Sequence, residues 1–109
     1  MAYSEELDDR VERLTASWGN TARKRMFGGV CHLLDGNMFA GVLGESLILR
    51  LGDEAAVAAL RSPGVRPFDL TGRPMRGWVV VDPPAFAGDE ALGQWLDHAR
   101  SYVKTLPTK

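Results

Sequence analysis

The dipeptide Asp35-Gly36 lies between two mainly apolar runs, Val30-Cys31-His32-Leu33-Leu34 and Asn37-Met38-Phe39-Ala40-Gly41-Val42-Leu43. Asp-Gly suits a two-residue type I′ loop, because both central positions need positive φ. The flanking runs then pair as antiparallel strands: Leu34 with Asn37, Leu33 with Met38, His32 with Phe39 and Cys31 with Ala40. Gly28-Gly29 stands where the first strand begins, a place where glycine marks a bulge or a close backbone approach. This hairpin commits the chain to a sheet.

The remaining elements are read around it. Leu43-Gly44-Glu45-Ser46 is a second turn, leading to Leu47-Ile48-Leu49-Arg50-Leu51. There Leu47, Leu49 and Leu51 share one face and Arg50 points away, completing a three-stranded meander. Gly52-Asp53 opens a short helix with Asp53 as cap and Val57 and Leu60 as apolar anchors, closed by Ser62-Pro63-Gly64. Residues 65–77 are rich in Pro, Gly and Arg and read as an extended loop. Trp78-Val79-Val80-Val81 is a fourth strand, stopped by Asp82-Pro83-Pro84.

Two longer helices flank these elements. Residues 4–18 place Leu7, Val11, Leu14 and Trp18 on one stripe, with Ser4 as cap, Glu5 and Glu6 in the first turn, and Gly19 at the C-terminal end. After Asp89 as cap, Leu92, Trp95, Leu96, Ala99, Tyr102 and Val103 recur at helical spacing. The expected architecture is one α+β domain over residues 1–109. Its antiparallel sheet, a three-stranded meander plus a later strand, is packed by N-terminal, middle and C-terminal helices.

Charge narrows the function classes. Thirteen basic and fourteen acidic residues leave a net charge of −1, which gives no global drive toward nucleic acid or membrane. Cys31 is the only cysteine, so no intrachain disulfide forms and a reducing compartment fits. The N-terminus lacks the apolar core of a secretory signal, and no apolar run nears the ~18 residues of a membrane span. A cytoplasmic location is expected.

No residue pattern points to catalysis, metal or cofactor. Cys31 and His32 are neighbours on a strand, so their side chains leave opposite faces and form no thiol–imidazole dyad. Cys31 is expected as a small, partly buried side chain and His32 as a surface or cross-strand residue. One Cys and two distant His, His32 and His98, lack metal-ligand spacing. Gly28-Gly29 leads into a strand rather than a helix, unlike a phosphate loop.

Arg23, Lys24 and Arg25, joined in space by Arg73 and Arg76, form the candidate basic patch for nucleic acid or an acidic partner; the plainer reading is a solvated linker and loop. Trp18 and Trp95 fall on apolar helical stripes and read as core. Trp78, beside Gly77, is the candidate interface residue: on a sheet edge it could pair with another chain, including a second copy.

Lys24-Arg25-Met26-Phe27-Gly28-Gly29, the Asp35-Gly36 hairpin with Met38-Phe39-Ala40, Leu47-Ile48-Leu49-Arg50-Leu51, Pro67-Phe68, Gly72-Arg73-Pro74-Met75, Trp78 and the closing helix occur in one order. Together, over about residues 14 to 104, they resemble the N-terminal domain of the TfoX (Sxy) family, bacterial proteins named for a regulator of DNA-transformation competence. The resemblance implies a small α+β sandwich and brings no catalytic residues. The competence regulator carries a further C-terminal domain; this chain, ending at Lys109, is expected to be a stand-alone domain. The expected function is non-enzymatic binding of a protein partner within transcriptional or competence regulation. The alternatives are nucleic-acid binding through the basic patch and small-molecule binding in a pocket between sheet and helices.

Overall fold

The computed structural model describes residues 3–26, 28–69, 72 and 74–108. In it Asp35 and Gly36 both take positive φ, 53° and 82°, as a type I′ loop demands. The loop joins β2 (Gly29–Leu34) to β3 (Asn37–Leu43). Leu34 pairs with Asn37 and Leu33 with Met38, as the loop dictates. Beyond them the register slips: His32 faces Ala40 rather than Phe39, and Cys31 faces Gly41 rather than Ala40. This bulge gives β3 one extra residue and lets consecutive Phe39 and Ala40 both enter the core.

The paired glycines have two separate reasons. Gly28 takes φ 75° in the turn before β2. A side chain on Gly29 would run into the carbonyl oxygen of Val42 on β3, so that position is a close backbone approach.

The meander continues through β4 (Ser46–Arg50), with Leu47 and Leu49 fully buried on one face. It also begins one strand earlier than the sequence suggests. Arg23-Lys24-Arg25 is no linker but the middle of β1 (Thr21–Met26), which pairs with β2 along its whole length. All six β1 residues are exposed, so no apolar alternation announces the strand. Gly19 does not cap a helix; with Asn20 it takes positive φ in the turn that leads into β1.

The supposed loop of residues 65–77 contains a further strand, β5 (Val65–Asp69), and the first residues of β6 (Pro74–Val81). The described residues form one antiparallel sheet in the order β1-β2-β3-β4-β6-β5. Pro67 is tolerated because β5 is an edge and needs no second ladder. Arg23, Lys24 and Arg25 charge the opposite edge, which discourages pairing with foreign strands.

Three helices cover one face. Helix α1 (Glu5–Thr15) starts where Ser4 Oγ accepts the Leu7 N–H at 3.1 Å, and ends before Trp18 rather than at it. Helix α2 (Asp53–Ala59) has Gly52 at its cap position; Asp53 is its first residue and makes no capping bond. Its buried contacts are Ala56 and Ala59, whereas Val57 and Leu60 are 61% and 39% exposed, because the helix presents its small residues to β6. Helix α3 (Asp89–Val103) buries Leu92, Leu96, Ala99 and Val103 against β3 and β4. Asp89 again opens the helix without capping it: Arg10 and Arg13 of α1 claim its carboxylate at 3.0 and 2.8 Å and hold its pKa below the usual value.

The core lies between this helical layer and the sheet, centred on Phe39, Leu47, Leu49, Val79, Val81, Leu92 and Leu96. Trp18 and Trp95 flank it half-buried, as their stripes suggest; the Trp95 indole N–H donates to Ala85 O at 3.2 Å.

Replacing Gly36 with Val forces a β-branched residue into positive φ. The variant should lose about 1–3 kcal/mol of stability. A urea unfolding curve that coincides with that of the parent protein would disprove the turn's role.

Candidate functional site

Alternation along the strands gives the sheet two unlike faces, and α1, α2 and α3 all pack on one of them. The other face carries a row that crosses all six strands: Lys24, Cys31, Gly41, Ile48, Val80 and Arg66 are successive cross-strand partners. Gly41, in the interior of the sheet, interrupts the row. Its φ is not positive, so the backbone does not require glycine there. Space does: a methyl group on Gly41 would come within 2.9 Å of Met38 Cε and 3.3 Å of the Val30 carbonyl oxygen. A strand glycine without a backbone reason marks a place kept open for close approach.

Over this gap lies a concavity of about 200 Å³. Met26, Cys31, Met38, Ile48, Met75 and Trp78 contribute to its lining, so thioethers, a thiol, an aliphatic chain and an indole meet there. Met26 and Met75 at its mouth are 42% and 38% exposed. Phe68 of β5 turns its ring toward Trp78, with centroids 6.1 Å apart. The Arg50 guanidinium lies 5.5 Å from the Trp78 ring centroid and 5.9 Å from that of Tyr102 on α3, a pair of cation–π contacts that place it beside Trp78. Trp78 therefore belongs to this open face. It is not on an edge strand, because β6 runs between β4 and β5.

Cys31 faces the concavity and His32 faces the helices, so strand geometry separates them as expected. Burial raises the Cys31 thiol pKa, which keeps it protonated and a poor nucleophile. His32, however, is no surface residue: it is buried beneath α1. Its Nε2–H donates to Asp8 Oδ1 at 2.7 Å. Asp8 Oδ2 accepts from Arg23 Nη1 at 3.0 Å, and the same Nη1 lies 2.6 Å from Glu12 Oε2. The network ties α1 to β1 and β2. The sequence hides it, because Asp8 falls among the acidic residues of a helix start and looks solvated.

The described basic residues do not gather into one patch. Arg23 and Arg25 line a cleft of about 300 Å³ that they share with Glu5, Asp8 and Asp9, so carboxylates offset them locally. Lys24 is Cys31's partner in the ladder and so lies on the opposite, open face. Arg76 reaches Asp53 at the start of α2, 3.6 Å away. Arg73 lies outside the described residues. A continuous basic surface is absent among the described residues, since alternation along β1 divides the triplet and carboxylates of α1 lie beside Arg23 and Arg25.

The core between sheet and helices is filled by fully buried side chains, and the cleft shared by α1 and β1 opens only at its margin. His98 is exposed on α3, its ring 6.4 Å from that of Trp95. Among the described residues, no three His, Cys, Asp or Glu side chains are grouped to hold a metal ion, and no helix is long and apolar enough to cross a membrane.

Burial lowers the His32 pKa from its ordinary 6.5, and the Asp8 hydrogen bond and charge only partly oppose this. The folded state thus binds its proton less readily than the unfolded chain. Stability is full above about pH 6.5 and falls as pH drops from there toward the folded-state pKa, by at most about 1.4 kcal/mol per pH unit. Denaturant melts between pH 7.5 and 5 should show this slope in the parent and a flatter one in His32→Gln. Equal slopes would remove His32 as the cause.

The family model described as TfoX N-terminal domain matches residues 13–102 of the chain. No curated protein and no solved structure matches it.

Proposed function

Because the chain belongs to the TfoX N-terminal domain family, we propose that it is a non-enzymatic bacterial binding module that works in the cytoplasm, within transcriptional or competence regulation, by docking a protein partner on the uncovered face of its sheet. One observation carries this reading: the apolar concavity over Gly41, kept open in the middle of the sheet on the side the helices leave bare. A contiguous apolar surface of this kind costs a soluble protein solubility, and a bound partner is the ordinary reason to keep one. Its lining suits that use. Methionine side chains adapt to varied surfaces, and an indole supplies a large contact area. The division of Arg23, Lys24, Arg25 and Arg76 argues against nucleic acid, and the filled core argues against a ligand held between sheet and helices.

Met75→Glu tests the proposal. The exposed position should tolerate the change within about 0.5 kcal/mol, while a charge at the mouth of the concavity should weaken partner binding about tenfold or more. Cross-linking in the native host followed by mass spectrometry would compare the partners held by parent and variant. An identical set at identical yield would overturn the proposal. Light scattering that shows a parent dimer and a Met75→Glu monomer would identify the partner as a second copy.

A further inference from the structure

We infer that the occupant of this face is an acidic amphipathic segment of another protein, which inserts one large apolar side chain over Gly41 and sets carboxylates against Lys24 and Arg50; this rests on the reading of the open face as a docking surface. Three observations converge. The first is size. A cavity of about 150 Å³ accommodates a benzene ring, so the roughly 200 Å³ over Gly41 suits one aromatic or long aliphatic side chain. Binding energy concentrates in such anchored side chains.

The second is charge. Lys24 begins the cross-strand row that runs through Cys31, Gly41 and Ile48, and Arg50 lies beside Trp78. Neither makes an ion pair among the described residues; Arg25, Arg61, Arg100 and Lys104 make none either, but what sets Lys24 and Arg50 apart is their place on the open face, Lys24 opposite Cys31 and Arg50 opposite Trp78. Asp82 offers no counter-charge, because its carboxylate is held by Arg66 at 3.1 Å and by Ser46 Oγ at 2.8 Å. Glu45 lies in the turn at the end of β4 away from Arg50. Two cations that make no ion pair among the described residues, on the same sheet face as an apolar hollow, complement a ligand with an apolar stripe and acidic flanks.

The third is the floor. Gly41 has ordinary strand backbone, so its lack of a side chain serves the surface rather than a turn. An added methyl would meet the Met38 Cε and push that flexible side chain toward the hollow. Gly41 thereby becomes the residue that sets the depth of the site.

The test uses the full chain, labelled for amide NMR. It is titrated with a designed helical peptide carrying Leu and Trp at i, i+3, i+4 and i+7 and Glu elsewhere, with the same peptide carrying Lys for Glu, and with the neutral apolar dye Nile red. The acidic peptide should bind at least tenfold more tightly than the basic one and move the amides of Gly41, Ile48 and Trp78. Gly41→Ala, whose methyl crowds Met38 and the Val30 carbonyl and so lowers the melting temperature, should still fold at the titration temperature and weaken it about tenfold. Lys24→Glu, a surface change that leaves the hollow intact, should remove or reverse the charge preference.

Should the basic peptide bind as well as the acidic one at these amides, the acidic occupant is wrong while the docking face stands. If neither peptide nor Nile red moves them, both the occupant and the docking face are overturned. Acidic peptide binding that instead moves residues around Arg61 and Lys104 overturns the placement over Gly41.

Discussion

The packing of α3 across the middle of the sheet is the interaction on which the other features depend. Leu92, Leu96, Ala99 and Val103 meet Phe39, Leu47, Leu49, Val79 and Val81 in one cluster with almost no solvent access. Burial on that scale is what gives a domain of this length its stability. It also decides which sheet face is inside. Once α3 has chosen the Leu47-Leu49 face, Ile48 and Trp78 are left on the other, and the three helices that could cover them are already committed.

Polar contacts then fasten the edges of the layer. Arg10 and Arg13 join α1 to the first residue of α3 through Asp89, and the Arg10 guanidinium also donates to Phe86 O at 3.0 Å. His32 and Arg23 hold Asp8 from below. The N-terminus is stitched to the β3–β4 turn by Ser4 N–H donating to Gly44 O at 2.7 Å, and the C-terminal segment reaches the hairpin through Asn37 Nδ2 and Pro107 O at 2.9 Å. An Asp–His pair can serve a nucleophile, but here the neighbouring thiol is on the opposite face and the imidazole is under a helix. The pair secures the position of α1.

The features that could be read along the chain are those with strong local causes. The Asp35-Gly36 loop needs only its two residues, and the α3 stripe and the Leu47-Leu49 alternation need only a few neighbours. Where the reading failed, the local signal was weak or pointed elsewhere. Thr21–Met26 is exposed at every position and carries three cations, so nothing in it looks like a strand until β2 supplies a ladder. Val65–Asp69 contains a proline, which is acceptable only because that strand is an edge. The register slip after Leu33 follows from core packing of two consecutive residues, Phe39 and Ala40, which a hairpin considered alone does not require. Of the candidate site residues, Trp78 lies at the concavity, but on an interior strand, and the basic triplet is divided between faces.

Family membership, the antiparallel hairpin and the apolar stripes are properties of the amino-acid order alone, because each depends on residue type and short spacing. The bare face, the hollow over Gly41 and the burial of His32 with Asp8 depend on strand order and on which side the helices settle. Those are outcomes of contacts between residues far apart in the chain: Asp8 with His32, Ile48 with Val80, Trp78 with Arg50. A glycine in a strand is only a weak spot when seen in sequence. Between Cys31 and Ile48, with Met38 beside it, the same glycine is the floor of a site.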